Sequence, residues 1–156
     1  MGPVSCRGRA VSSTAIRELL AGGDIREVNH LLGHPHRFTG RVAHGMQLGR
    51  KLGFPTVNLP WPRELQAPRY GVYAGRVLVD GRWLPALTNI GMKPTVCGDR
   101  CGLESHILDY GGDLYGRVLT VEFTDFLRPE KRFSSVEELR EQVNRDIQGV
   151  RETLLR

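Results

Sequence analysis

The sequence lacks the features that mark membrane and secreted proteins. No apolar run approaches the roughly 18 residues that a helix needs to span a bilayer. The N-terminal residues contain no apolar segment of the signal-peptide kind. The three cysteines, Cys6, Cys97 and Cys101, form an odd set without a disulfide framework, which is typical of a reducing compartment. We therefore expect a cytoplasmic protein that does not interact with membranes.

Signals for a zinc site and for nucleic-acid binding are also weak. Cys97 and Cys101 form one closely spaced pair, and no matching second pair exists. The net charge is +5 and the isoelectric point is about 9.5, but the basic residues are scattered and no aromatic RNA-binding motif accompanies them. Such a charge also suits a small polyanionic substrate such as ATP. We expect no nucleic-acid partner.

The composition and the periodicity predict one soluble, mainly β domain. The chain has 156 residues, of which 40% are hydrophobic and 25% charged. Alternating patterns predict six short strands, and Asp80-Gly81 predicts a tight hairpin between two of them. Glycine and proline residues predict a loop over 89–102. The strands are expected at 38–43, 56–59, 71–79, 82–90, 103–108 and 117–126, and they favour a small barrel or a sandwich.

Helices are predicted at both ends of the chain. Hydroxyl side chains at 12–14 precede one short apolar pattern, and Asp24 with Glu27 forms a capping box for a second. Ser135 and Glu138 form another capping box before the longest helical pattern, whose apolar residues recur at steps of three and four. This stripe is typical of a helix that packs against the barrel.

A glycine-bearing basic loop is the first candidate site. Residues 49–53 place two glycines around Arg50 and Lys51, so that backbone N–H groups could approach phosphate oxygens. Thr56 and Asn58 follow, and in an extended segment both side chains point to one face. Their hydroxyl and amide oxygens suit Mg²⁺. An ordinary turn leading into a strand would have the same residues, and the spacing is not that of a Walker A motif.

A second candidate site lies in the strand expected at 103–108. Glu104 and His106 alternate with apolar residues and therefore share one face of that strand. A carboxylate there could accept the proton of a hydroxyl that attacks a phosphoryl group. The alternative is that both side chains are solvent-facing polar residues on a half-exposed strand.

The order of the motifs resembles the riboflavin kinase family from about residue 38 to the C-terminus. The motifs that carry the resemblance are Gly40-Arg41-Val42, Gly45, Gly49-Arg50 to Asn58, Asn89-Ile90-Gly91, Pro94-Thr95, Glu104-Ser105-His106-Ile107-Leu108, Leu114-Tyr115-Gly116, Leu127-Arg128-Pro129-Glu130-Lys131, Phe133 and Asp146. The resemblance implies a six-stranded antiparallel Greek-key β-barrel with a C-terminal α-helix. It also implies transfer of the ATP γ-phosphate to the 5′-hydroxyl of riboflavin, which yields FMN and ADP.

The resemblance also implies roles for individual residues. Thr56 and Asn58 would hold Mg²⁺ and the nucleotide phosphates, and Glu104 would be the general base. Further nucleotide- and flavin-binding roles fall on Gly45 and Arg50 in the nucleotide cover, Cys97, Asp99 and Gly102 in a loop that borders the nucleotide, and Arg128 and Glu130 near the flavin.

The N-terminal residues show a second resemblance. Ser12-Ser13-Thr14-Ala15-Ile16-Arg17 is similar to the end of the adenylyltransferase module in bacterial bifunctional FAD synthetases. We therefore expect an N-terminal extension over 1–36, a remnant of that module, and a riboflavin kinase domain over 37–156. No His-x-Gly-His motif precedes the remnant, so we expect no FMN adenylyltransferase activity in this chain. We also expect the isolated domain to be a monomer.

Two other functions stay open at this point. A non-catalytic barrel that binds a flavin or a nucleotide would have the same pocket. A small basic barrel that binds nucleic acid would show a steep salt dependence of binding.

Overall fold

A computed structural model describes residues 13–44, 53–93 and 98–154 in full, and the backbone alone of 4–6, 9–11 and 94–95. Its helices are α1 (Ser13–Gly22), α2 (Ile25–Leu32) and α3 (Val136–Leu154). Its strands are β1 (Val4–Cys6), β2 (Arg9–Val11), β3 (His36–Arg41), β4 (Val57–Pro60), β5 (Gly71–Val79), β6 (Arg82–Thr95), β7 (Gly98–Ile107) and β8 (Val118–Arg128). Among these described residues, no helix is both long enough and apolar enough to cross a membrane.

The caps that the sequence predicts are present at two helix N-termini. The Asp24 side chain accepts a hydrogen bond from the backbone N–H of Glu27 at 3.3 Å, which caps α2. The Ser135 hydroxyl accepts one from the N–H of Glu138 at 3.1 Å, just before α3. Gly33 ends α2 with a φ of 80°, a left-handed conformation that favours glycine.

Six strands form one antiparallel sheet in the order β3-β8-β5-β6-β7-β4. The sheet curls until its two outer strands approach each other, and the N–H of Ala43 donates to the carbonyl oxygen of Asn58 at 2.8 Å. Asp80 and Gly81 join β5 to β6 with φ values of 50° and 78°, as the hairpin signal predicted. The predicted fold, a mainly β six-stranded antiparallel barrel with a C-terminal helix, is confirmed.

The loop predicted over 89–102 is wrong. β6 continues to Thr95 and β7 starts at Gly98, and the two strands pair without interruption from Gly91–Gly102 to Thr95–Gly98. Glycine and proline locally favour a loop. The long β6–β7 ladder overrides that preference because each extra residue adds cross-strand hydrogen bonds, and strand preference depends more on pairing than on residue type.

The barrel and the two N-terminal helices share one hydrophobic core. Leu20 of α1 and Val28 of α2 belong to the same buried cluster as Tyr73 and Phe123 of the barrel. The Tyr73 hydroxyl donates to the Arg69 carbonyl oxygen at 2.7 Å, and burial raises the pKa of this phenol, so the group stays neutral. The helices are thus packed parts of the barrel unit, while their assignment as an adenylyltransferase remnant stays a prediction.

Helix α3 packs against the opposite, outer face of the sheet. Val150, which is fully buried, joins a second apolar cluster with Val72, Ala74 and Leu87. The predicted apolar stripe therefore packs against the barrel. The outer surface of β5, β6 and β7 is covered by α3 only in part, which leaves space for a cavity beside it.

A substitution at Gly75 tests the close contact between β5 and β8. A Cβ built at Gly75 would lie 1.9 Å from the carbonyl oxygen of Glu122, so a side chain would force the two strands apart. We expect Gly75→Ala to lower the free energy of unfolding by about 1–3 kcal/mol, as for other overpacked sites. Gly22→Ala is the control, because nothing lies within 4 Å of its Cβ position. Equal urea midpoints for the two variants would contradict this account.

Candidate active site

A row of polar residues crosses three strands on the outer face of the sheet. Asn58 of β4 pairs directly with Glu104 of β7, and Glu104 pairs in turn with Asn89 of β6. Side chains of directly paired residues point to the same face, with Cβ atoms about 4.5–5.5 Å apart. Asn58, Glu104 and Asn89 are therefore neighbours.

The burial of the residues next to this row shows which face of the sheet is the outer one. Ser105 and Thr88 are fully buried, and their hydroxyl oxygens lie 2.9 Å apart inside the barrel. Because successive side chains of a strand alternate, Glu104 and Asn89 must point outward. Glu104 is half-buried there.

One of two neighbouring cavities lies at the end of the barrel where β3 and β4 meet. This cavity, here called the His44 cavity, has a volume of about 470 Å³. Thr56 and Asn58 line one side of it, and Gly111 and Gly112 belong to another side. His44 stacks on Tyr115 in its wall, with ring centroids 3.7 Å apart.

The second cavity lies between the outer face of the sheet and α3. This Glu104 cavity has a volume of about 520 Å³. Glu104 and Asn89 line its base, and Leu139 and Val143 of α3 contribute apolar wall. Thr56 lines both cavities, so the two spaces are adjacent at this residue.

An ion pair between β8 and α3 forms part of the wall of the Glu104 cavity. The Nε atom of Arg128 donates to both carboxylate oxygens of Asp146, at 3.0 and 3.1 Å, and Nη2 donates to Oδ2 at 2.8 Å. Gln142 donates to Oδ1 of Asp146 at 2.9 Å. The guanidinium carbon lies 5.8 Å from the centroid of the Phe133 ring, which also lines the cavity. The pair therefore fixes the segment that follows β8.

Glu130 reaches the same cavity across β6. A Cβ built at Gly91 would lie 1.9 Å from Oε1 of Glu130, so the carboxylate packs directly over this glycine and would have to move if a side chain stood there. Lys93 donates a short hydrogen bond to Oδ1 of Asn89. These contacts bring one basic and one acidic side chain to the end of the polar row.

Comparisons with known proteins show the family of the chain. A family model described as riboflavin kinase matches residues 32–154. The chain belongs to the riboflavin kinase family. A bifunctional riboflavin kinase/FMN adenylyltransferase of Pseudomonas fluorescens is 46% identical over 149 residues, which are 95% of this chain and 48% of that protein. The corresponding protein of Escherichia coli K12 is 47% identical over 146 residues, or 93% of this chain and 46% of its own length. The chain thus spans about half the length of these curated relatives.

Two solved structures share the fold. Riboflavin kinase from Trypanosoma brucei superposes with a TM-score of 0.57 at 27% identity, covering 77% of this chain and 80% of that one. A Streptococcus pneumoniae structure described as a macrolide-efflux protein superposes with a TM-score of 0.88 at 32% identity, covering 97% of this chain and 50% of that one. The second match extends the structural similarity to almost the whole chain.

The structure brings five of the predicted site residues of this riboflavin kinase domain to the two cavities. Thr56 and Asn58 line the His44 cavity, while Glu104, Arg128 and Glu130 line the Glu104 cavity together with Thr56. Arg128 also donates from each of its three nitrogens, to the Asp146 carboxylate and to the Pro129 carbonyl.

Two further predicted site residues in the described part of the chain, Asp99 and Gly102, are not brought to the cavities. Asp99 and Gly102 lie in β7, paired with β6, and line neither of the two cavities. Their expected place in a nucleotide-bordering loop depended on the loop predicted over 89–102, which the structure replaces with strands. Gly45, Arg50 and Cys97 lie outside the described residues.

Sequence reasoning did not assign site roles to Asn89 or Asp146. Asn89 reaches the site only through its pairing with Glu104, and the sequence does not reveal strand register. The position of Asp146 could have been recognised from the sequence, because it lies three residues after Val143 and four before Val150 on the apolar stripe of α3. An acidic residue at such a position requires a buried partner, which is Arg128.

Cys101 of β7 is a free cysteine in the described part of the chain. In that part of the chain, no group of three or more His, Cys, Asp and Glu side chains could hold a metal ion. Cys101 is half-buried, and this burial raises the pKa of its thiol. A raised pKa leaves less of the reactive thiolate at neutral pH.

The Arg128–Asp146 pair provides a test of the wall of the Glu104 cavity. The Asp146 side chain is 6% exposed and that of Arg128 is 19% exposed. We expect Asp146→Ala to lower the free energy of unfolding by about 3 kcal/mol, because Arg128 would keep its charge without a partner. Arg151→Ala breaks a much more exposed pair, in which the Arg151 side chain is 42% and the Asp109 side chain 75% exposed, and serves as the control with little expected change. Equal losses in urea titrations would contradict a special role for the buried pair.

Proposed function

We propose that this domain transfers the γ-phosphate of ATP to the 5′-hydroxyl of riboflavin in a Mg²⁺-dependent reaction that yields FMN and ADP. The observation that carries the proposal is the β4–β7 register. It places Asn58 opposite Glu104, next to Thr56, which borders both cavities. A phosphoryl transfer needs a nucleotide site, a metal site and an acceptor site that meet at one point.

We assign the nucleotide to the His44 cavity and the flavin to the Glu104 cavity. The last described residue before the segment 45–52, His44, lines the His44 cavity, and Gly45 and Arg50 of that segment are the predicted nucleotide cover. The Glu104 cavity has apolar walls from Leu87, Leu139 and other residues, which suit a flat ring system. Riboflavin bound there would extend its ribityl chain toward Thr56.

Thr56 and Asn58 are the residues that would hold Mg²⁺. Their hydroxyl and amide oxygens are hard ligands, and both residues line the His44 cavity beside the proposed phosphates. Two protein ligands suit an ion that shares its coordination shell with phosphate oxygens and water. The bound ion would neutralise phosphate charge.

Glu104 is the proposed general base. Its carboxylate accepts the proton of the ribityl 5′-hydroxyl as that oxygen forms a bond to the γ-phosphorus. The bond between the γ-phosphorus and the bridging oxygen breaks at the same time, and ADP leaves with the electron pair. Asn58 and Asn89 flank Glu104 on the two adjacent strands and thereby restrict where its carboxylate can lie.

The experiment is incubation of the chain with riboflavin, ATP and Mg²⁺, followed by chromatography of the flavins. We expect FMN and ADP in equal amounts. Glu104→Gln should lower kcat by about 10²–10⁴-fold, the usual contribution of a positioned base. The affinity for riboflavin should change little, because the amide keeps the shape of the side chain.

Glu137→Gln is the matched control, since Glu137 is an exposed glutamate in the first turn of α3 and lines neither cavity. It should keep the wild-type rate. A wild-type chain that binds riboflavin and ATP without forming FMN would indicate a binding barrel instead. A Glu104→Gln variant with more than half of the wild-type rate would remove Glu104 from the mechanism.

A further inference from the structure

His106 forms a link between β7 and the segment that carries Thr56. It lies two residues after Glu104 and lines the same cavity. Its Nδ1 atom is 2.8 Å from the carbonyl oxygen of Pro55. Its ring also meets Phe54 edge-on, with centroids 5.8 Å apart and an interplanar angle of 80°. One side chain therefore contacts both residues that immediately precede Thr56.

The chemistry of this hydrogen bond identifies the atom that matters. A carbonyl oxygen only accepts, so Nδ1 of His106 must carry the proton and donate it. The neutral ring then has its lone pair on Nε2, which plays no part in the bond to Pro55. A substitution that retains a donor at the place of Nδ1 should retain the link, and one that places a donor only near Nε2 should lose it.

The hydrogen bond from His106 to Pro55 lies just beyond the end of the β4–β7 ladder. The first β4–β7 pair is Val57 with Ser105, so Thr56 lies one residue outside the ladder. Its backbone is held by the ladder on one side and by the bond from His106 to Pro55 on the other. Mg²⁺ requires near-ideal octahedral geometry with short metal–oxygen distances. A ligand on an unrestrained residue would meet that requirement only part of the time.

We propose that His106 is a positioning residue: through its Nδ1–H bond to the Pro55 carbonyl it holds Thr56 in the place where the metal–nucleotide complex needs it. This inference rests on the proposed function, because it takes Thr56 as a ligand of the metal–nucleotide complex. His106 acts through Pro55, and it exchanges no proton with either substrate.

Three substitutions at one position separate the two ring nitrogens. His106→Asn places an amide N–H near the position of Nδ1, His106→Gln places one near that of Nε2, and His106→Ala removes both. The primary measurement is the dissociation constant of Mn²⁺ with ADP, followed by electron paramagnetic resonance of free Mn²⁺. The second is steady-state kinetics with separate KM values for Mg·ATP and riboflavin.

We expect His106→Ala and His106→Gln to weaken Mn·ADP binding about tenfold, the size of effect that loss of one well-placed hydrogen bond produces. The KM for Mg·ATP should rise by a similar factor, and the KM for riboflavin should stay within about twofold, because the cavity keeps its other walls. His106→Asn should restore both quantities to within about threefold of wild type.

His34 offers a matched control. Its Nδ1 atom also lies 2.8 Å from a proline carbonyl oxygen, that of Pro35, but His34 is exposed and lines neither the His44 cavity nor the Glu104 cavity. His34→Ala removes the same kind of bond elsewhere in the chain. It should leave Mn·ADP binding and both KM values unchanged.

The outcomes separate this inference from the proposed function. Wild-type binding of Mn·ADP without FMN formation would defeat the proposed kinase reaction, and the binding series would still test His106. If the chain forms FMN and all three His106 variants bind Mn·ADP with wild-type affinity, only the positioning role is defeated. The same holds if His106→Gln restores Mn·ADP binding and His106→Asn does not. A wild-type chain that binds no Mn·ADP would overturn both. If His106→Ala does not fold, the comparison of Asn with Gln decides.

Discussion

The short ladder between β4 and β7 is the constraint on which the rest of the site depends. It contains only four residue pairs, from Val57–Ser105 to Pro60–Gly102. A shift of one residue would turn Asn58 into the barrel and Leu59 out of it, because side chains alternate along a strand. The full burial of Leu59 and Leu103 against each other opposes such a shift. The packing of the core therefore sets the position of the polar row outside it.

The inner face of the sheet forms the core that stabilises the fold, and the outer face carries the candidate site. Inside, Tyr73 and Phe123 meet edge to face with centroids 5.2 Å apart and are fully buried. Outside, α3 covers only part of the sheet, and the Arg128–Asp146 pair holds the segment that completes the wall of the Glu104 cavity. An ion pair costs desolvation and is a weak source of stability. The charge-assisted hydrogen bonds of the Arg128–Asp146 pair are directional, and they therefore fix the segment that follows β8.

Much of the fold could be predicted from local sequence, and much of the site could not. Alternation and capping located the strands and helices, because Asp24, Ser135 and the Asp80-Gly81 turn act over a few residues. The loop prediction for 89–102 is wrong because the glycines and the proline of this stretch lie in the long β6–β7 ladder, although locally they favour a turn. Glu104 was identified with its neighbour His106. The partners of Glu104 on the adjacent strands follow from register, which depends on packing across the whole barrel.

The most direct test of the account measures where the metal–nucleotide complex lies relative to this ladder. Amide relaxation in the chain bound to Mn²⁺ and ADP, compared with Mg²⁺ and ADP, reports proximity to the metal residue by residue. The account predicts the greatest relaxation enhancement at 56–58 and 104–106 together, on the two paired strands. Greatest enhancement at the end of the β6–β7 hairpin or along α2, with 104–106 less affected, would contradict it.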